Sequence, residues 1–442
     1  MSHDRSSPPP GRLSRYTVSA GTLVSLVTGR SAYRLIQAAT TVLLLPVWGT
    51  EVYGTFAAAM ATFAWLMALV LTGPEKTVLK VLPRAPRTGQ LITAGLLAVL
   101  WWLPLPLVAA FAVVLARYGD GVAAVYVGVA AMQLSIGCTL LLVGLHRAHG
   151  RPRPDVATFA AMSAVQVALL AAAVAGLVGP VGFVSGVIVA QLALNVALAV
   201  SLGRPSLRLR HRPVFLRRLV CTAALLGAPD LYLYLSTAVL FTILSASVWA
   251  AHVGPLYVVV IAWSAGVNLL IYVFRVFAPR TSLALAGRAG PGGRRRAAQV
   301  AGRVAVANAA WLLMVVAAVL LVPHGGAAGG LGSVLVWATL LASRAPVMAG
   351  MLWASYRLEN TDARAPRVAG LAAVAGMVMV AAAGSVTVPA WGAVGVIIAF
   401  GAGDLAYTTV IALLGPGRRP PHDGATEPNA APPAGARRAA AV

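Results

Sequence analysis

The chain has 442 residues, 59% of them hydrophobic and only 10% charged, with a mean hydropathy of +0.84. A soluble protein of this length needs far more polar surface, so the composition excludes one and specifies a polytopic membrane protein. A formal net charge of +23 would suit a nucleic-acid partner, but the placement of the cations argues against that class.

Residues 1–18 form a polar, proline-rich tail, read as disordered. No short apolar region with a small-residue cleavage site follows it, so the first apolar segment is expected to stay as a helix. That segment, Gly21 to Trp48, is long enough to cross a bilayer, which takes about 20 apolar residues. Arg30 and Arg34 sit well inside it. They are four apart and share a helix face, which Gln37 and Thr41 continue. A charge near the bilayer centre costs roughly 2.5–3.5 kcal/mol on insertion scales, so such residues usually face protein or a watery cavity. Two readings stand: a cavity that takes an anion, or arginines that snorkel to the inner surface or pair with a carboxylate.

Twelve apolar segments follow one another, at about 20–47, 52–73, 89–116, 121–145, 156–178, 181–202, 219–246, 253–277, 298–322, 329–355, 367–388 and 391–414. The connectors alternate in character. Those after segments one, three, five, seven, nine and eleven are short and carry one cation among them, Arg117. The other side holds Lys76, Lys80, Arg84 and Arg87, then HRAHGRPRPD at 146–155, GRPSLRLRHRPVFLRR at 203–218, GRAGPGGRRR at 287–296 and YRLENTDARAPR at 356–367. Of the 34 Lys and Arg residues, 29 fall on that side and one on the other; Arg30, Arg34, Arg275 and Arg344 lie within or at the edge of segments. The positive-inside rule then puts both termini in the cytoplasm and makes the protein a multi-pass component of the cytoplasmic membrane. The basic residues are topogenic and meet anionic headgroups, which leaves no case for nucleic acid.

The expected architecture is all-α: about twelve transmembrane helices in two six-helix halves around a central cavity. The halves span 19–202 and 219–414, joined by a basic linker at 203–218, with a disordered tail over 415–442. No outer connector exceeds about ten residues, which leaves no outer domain for a catalytic site. Nucleotide, zinc-hydrolase and serine-hydrolase motifs are absent from the sequence. Cys138 and Cys221 lie in apolar runs without metal-ligand spacing. No cofactor is expected, and the enzyme class is disfavoured.

The chain also repeats itself. VWGTEVYGTFAAAMATFAWLMALVLTGPEKTVLKVLPR (47–84) and VWAAHVGPLYVVVIAWSAGVNLLIYVFRVFAPR (248–280) both open on Val-Trp and place Gly and Tyr at an outer mouth. Both end on Pro-Arg at the inner surface. Segments two and eight run the same way, so this is a parallel repeat of the two halves. The first copy resembles the first-hairpin signature of Wzx-type polysaccharide flippases, within the multidrug/oligosaccharidyl-lipid/polysaccharide exporter superfamily. Gly49, Glu51, Tyr53, Gly54 and Phe56 match the turn, and Val78-Leu79-Lys80-Val81 resembles the inner end. The second-half copy departs, because Gly254-Pro255-Leu256-Tyr257 is one residue longer than the family's mouth, and Asp230 lies deeper than the family's acidic residue.

The resemblance implies a flippase that moves a polyprenyl-diphosphate-linked oligosaccharide across the membrane by alternating access. Its implied partners are the lipid-linked glycan, membrane lipids, a glycan polymerase and glycosyltransferases. Fixed arginines suit a diphosphate, since the planar guanidinium binds phosphate oxygens two at a time and stays charged when buried. Arg30, Arg34 and Gln37 from the first half, with Arg275 from the second, are the expected diphosphate site; the plainer reading of Arg275 is one more topogenic charge. Asp230, Arg344 and Asp404 also sit where lipid is expected. Arg344 and Asp404 fall at about the same depth at ~1.5 Å rise per residue and suit an intramembrane pair. The sharper alternative makes Asp230 or Asp404 the group that couples transport to protons or sodium. Gln133, Gln166, Gln191, Asn195, Asn268 and Asn308 either line a sugar path or hydrogen-bond between helices. Trp101, Trp102, Trp263 and Trp391 suit packing or an interface belt better than sugar stacking. The rival functions are a drug exporter of the same superfamily, which would want an acidic cavity, a membrane enzyme of glycan assembly, and a non-transporting scaffold.

Overall fold

A computed structural model describes residues 20–81, 86–149, 151, 153–202, 213–264, 331–344, 348, 351 and 365–414. Every regular element among them is helical: α1 (Ala20–Val81), α2 (Pro86–Trp102), α3 (Leu105–Tyr118), α4 (Val122–Ala148), α5 (Arg153–Val174), α6 (Pro180–Leu202) and α7 (Pro213–Ser245). After a short turn, Ala250–His252, come α8 (253–264), α9 (Leu331–Ser343), α10 (Ala365–Trp391) and α11 (Ala393–Leu414). Eight helices among these residues are long and apolar enough to cross a membrane, counting bent α1 as one and α2 with α3 as one. Proline opens α2, α6 and α7, where its missing N–H leaves no bond unmade.

The first two predicted segments are the two arms of α1. They part at Gly49, whose φ of +77° is open to glycine and strained for any residue with a Cβ. The third segment is α2 and α3, separated at Leu103–Pro104. Segment eight begins in α8 and segment ten in α9; segment nine lies outside the described residues, as do Arg275, Asn268 and Asn308.

The helices form two halves, α1–α6 and α7–α11. In the first, α4 is the centre: nearly all of its residues are buried, and the second arm of α1, α3 and α6 pack around it. In the second, α10 lies along both α11 and α7. Small residues bring these backbones close, as expected where lipid removes the hydrophobic drive between helices. A Cβ at Gly137 of α4 would fall 2.9 Å from the Met67 carbonyl oxygen, and one at Gly403 of α11 would fall 3.1 Å from that of Gly376 on α10.

The second arm of α1 is also the seam between the halves. At one end it crosses α7 so tightly that a Cβ at Gly73 would collide with the Ala223 carbonyl oxygen. At the other, Tyr53 and Gly54 lie against Gly254 of α8, whose Cβ would meet the Tyr53 ring at 3.2 Å. The two glycine-tyrosine mouths seen as a sequence repeat therefore pack against each other, with Tyr53 and Tyr257 both buried.

Candidate functional site

Among the described residues, the charged groups buried between helices gather in three places. The first arm of α1 carries the predicted stripe. Arg34 is half-buried, and its Nη1 donates to Gln37 Oε1 at 2.9 Å; Thr41 donates to the Gln37 carbonyl at 2.8 Å. Among the described residues Arg34 has no carboxylate partner; its other neighbour is the Tyr33 ring, 5.9 Å from the guanidinium carbon. The stripe borders the face that Tyr33 buries against Phe159 of α5, with ring centroids 5.4 Å apart. Arg30, one turn away, is 9% exposed and lies over Phe159 at 5.4 Å. Its charge also acts on Asp155 of α5.

Asp155 belongs to a second, buried cluster. Arg147 of α4 reaches Glu75 of α1 at 3.4 Å and Asp155 at 3.2 Å, and both carboxylates are no more than 1% exposed. Gly144 makes room for Glu75, since a Cβ there would sit 3.1 Å from Glu75 Cγ. Next to Glu75, Lys76 leaves the first half altogether. Its Nζ lies 3.3 Å from Asp230 Oδ2 on α7 and donates to the Leu226 carbonyl at 3.1 Å. Pro229, beside Asp230, lies inside this stretch of α7 and removes one N–H from its ladder. This ion pair spans the seam within a few residues of the Gly73 crossing.

The third place is inside the second half. Arg344 pairs with Asp404 Oδ2, and the Tyr232 hydroxyl donates to Asp404 Oδ1 at 3.1 Å. Asp404 is 1% exposed, and the Arg344 guanidinium also lies over the Phe400 ring at 4.7 Å. Tyr232 in turn stacks on Tyr407, centroids 5.2 Å apart. Beside this network is a cavity of about 90 Å³ between α7, α8, α9 and α11.

The structure thus places Arg30, Arg34 and Gln37 together, Arg344 with Asp404, and Asp230 with Lys76, a residue read from sequence as topogenic. Glu75, Arg147 and Asp155 were not singled out in the sequence. The available signal was two carboxylates, among only 11 acidic residues, at segment ends otherwise lined with cations. Of the amides, Gln191 and Asn195 of α6 lie within hydrogen-bond distance of the Thr139 hydroxyl on α4, at 2.5 and 2.8 Å, and Gln133 reaches Met60. These three tie helices together. In the connector before α8, His252 stacks on Trp249 with centroids 5.1 Å apart, and burial holds its pKa below the ordinary 6.5. Among the described residues no group of three or more His, Cys, Asp or Glu is placed to hold a metal.

The sequence matches no family model and no curated protein. The fold, however, is shared with solved transporters of the MOP superfamily. An inward-facing multidrug resistance MATE family transporter aligns over 91% of this chain and 96% of its own, with a TM-score of 0.60 and 15% identity. An outward-facing one aligns over 92% and 95%, with a TM-score of 0.63 and 13% identity. A MOP superfamily transporter from Pyrococcus furiosus, for which reverse polarity of the binding pocket suggests a different function, aligns over 92% and 95% with a TM-score of 0.61 and 14% identity. At these identities the likeness establishes the fold: an all-α, multi-pass membrane protein built as two halves.

Proposed function

We propose that the protein is a flippase of the cytoplasmic membrane that carries a polyprenyl-diphosphate-linked oligosaccharide by alternating access, with both termini cytoplasmic. The observation that carries this reading is Arg34. It is a half-buried guanidinium within a membrane-spanning arm, held by an amide, without a carboxylate partner among the described residues. A fixed cation at such a depth is costly unless an anion comes to it. Arg30, Arg34 and Gln37 would receive the diphosphate, with Arg275 as the cation contributed by the second half. The alternating connector charges support the orientation. Neighbours of the same fold in inward-facing and outward-facing forms support a rocking of the halves about the seam.

The alternative is export of cationic drugs, which draws on the multidrug transporters among the fold neighbours. The arginine stripe opposes it, because a cationic substrate meets like charge there. Reconstitution in vesicles separates the two. The flippase reading expects lipid-linked glycan to appear at the opposite leaflet with the wild type, and expects Arg30→Ala/Arg34→Ala to stop this while still inserting. Extrusion of cationic dyes without glycan movement would replace it by the drug exporter.

A further inference from the structure

Arg30 is claimed twice. The proposed diphosphate site needs its charge, and so does Asp155, whose attracting cations are Arg147 first and Arg30 second. Helices α1 and α5 meet at this level. A Cβ added at Gly29 would come within 3.8 Å of Val156 Cγ1, and the Arg30 guanidinium covers Phe159, one turn along α5 from Asp155.

Asp155 is not held as buried carboxylates usually are. It is fully buried, and among the described residues no hydrogen bond reaches either of its oxygens. Acidic residues in the first turn of a helix commonly interact with its free N–H groups; Asp155 stands in the first turn of α5 and accepts from none of them. Arg147 Nε comes within 3.2 Å of Oδ2 without making a hydrogen bond, while Arg147 Nη2 donates to Glu75 at 3.4 Å. The Asp155 charge is therefore held by attraction alone, from one guanidinium shared with Glu75 and one that belongs to the stripe.

One guanidinium cannot serve both claims. An anion that engages Arg30 draws its charge away from Asp155, and a desolvated carboxylate that loses a counter-charge favours its protonated form. The open oxygens of Asp155 take a proton without breaking any hydrogen bond. A metal cation in the same place would be opposed by Arg147 and Arg30. The other ionisable groups around α5 are committed elsewhere. Helix α6 carries none, Glu75 accepts from Arg147, and His146 of α4 turns to α6, with Nε2 3.0 Å from the Leu198 carbonyl oxygen.

We infer that Asp155 is the resident counter-ion of Arg30, that an anion bound at the stripe displaces it, and that the displaced carboxylate takes up one proton. The inference rests on the reading of the stripe as the diphosphate site and adds what balances Arg30 before cargo arrives. Loss of the proton lets Asp155 reclaim Arg30, which releases the anion. Cargo capture and protonation thereby promote each other, as linked binding events must.

The test uses the full chain in detergent, with farnesyl diphosphate as the probe. Calorimetric titration at mildly alkaline pH, where histidines are neutral, is run in two buffers of different ionisation enthalpy and gives the protons exchanged on binding. The wild type is expected to take up protons, approaching about one per diphosphate bound. Titration of the ligand itself has the opposite sign, because arginines that bind a diphosphate favour its loss of protons. Asp155→Asn keeps the size and removes the charge. It should abolish the uptake and raise affinity roughly threefold to tenfold, since the competitor for Arg30 is gone. Asp155→Glu restores a carboxylate and should restore the uptake. Binding without proton uptake in the wild type, or uptake that survives Asp155→Asn, would overturn the exchange and leave the stripe as a diphosphate site. Absence of binding would overturn both. Binding with Asp155-dependent uptake, but no movement of lipid-linked glycan in vesicles, would keep the exchange and remove the flippase reading.

Discussion

Each half of this molecule buries arginine in the membrane, and the two halves treat it in opposite ways. In the second half Arg344 is matched by Asp404, and Tyr232 donates to the remaining carboxylate oxygen, so the pair is neutral. In the first half Arg34 is held by Gln37 and a ring, without a carboxylate partner among the described residues. Its neighbour Arg30 lies beside a cluster in which Arg147 already binds both Glu75 and Asp155. The same side chain is therefore neutralised in one half and left with its charge uncompensated, among the described residues, in the other. On the proposed reading, the working charge is the one in the first arm of α1.

Breaking the neutral half should have the largest effect. Asp404→Asn leaves Arg344 buried without its counter-charge, and removing one partner of such a pair typically costs about 3–5 kcal/mol. A clear drop in thermal stability in detergent is expected, with recovery in Asp404→Leu/Arg344→Met, because an apolar pair of similar volume removes the unpaired charge. Equal stability of Asp404→Asn and the wild type would mean that the second half does not depend on this pair.

The seam should respond less in stability and more in motion. Lys76→Met removes the ion pair across the halves and leaves Asp230 without its lysine. Spin labels on α1 and α7 beside the Gly73 crossing should then report a broader distance distribution between the halves. A distribution unchanged from the wild type would deny Lys76 and Asp230 a role in holding the seam. The smallest effect is expected at the connector. Burial lowers the His252 pKa, so the folded protein keeps this ring neutral where the unfolded chain would protonate it. That stability is present above the ordinary value of 6.5 and is lost as pH falls through the lowered one. Acidification should reduce the melting temperature slightly in the wild type, and less so in His252→Phe.

Much of this architecture is legible in the residues because a bilayer enforces it. Helix length and the break at Gly49 each follow from local sequence, and the common depth of Arg344 and Asp404 follows from counting rise along two helices. What stayed hidden depends on which helices meet. Lys76 and Asp230 are 154 residues apart and Glu75 and Arg147 are 72 apart, and cationic segment ends look topogenic until their partners are placed. Asp155 reads as part of a basic connector and is instead fully buried at the start of α5. Gln191 and Asn195 could be recognised only as polar groups needing partners; their common contact with Thr139 depends on how α4 and α6 cross.

The most direct test of the account is equilibrium binding of a short-chain polyprenyl diphosphate to the purified protein, against the matching alcohol, in the wild type and Arg34→Gln. Glutamine keeps a hydrogen-bonding side chain and removes the charge. The wild type is expected to prefer the diphosphate, salt to weaken this preference, and Arg34→Gln to lower affinity by roughly tenfold, as losing one charge-assisted contact should. Diphosphate affinity that is no greater than that of the alcohol, or that survives Arg34→Gln intact, would contradict it.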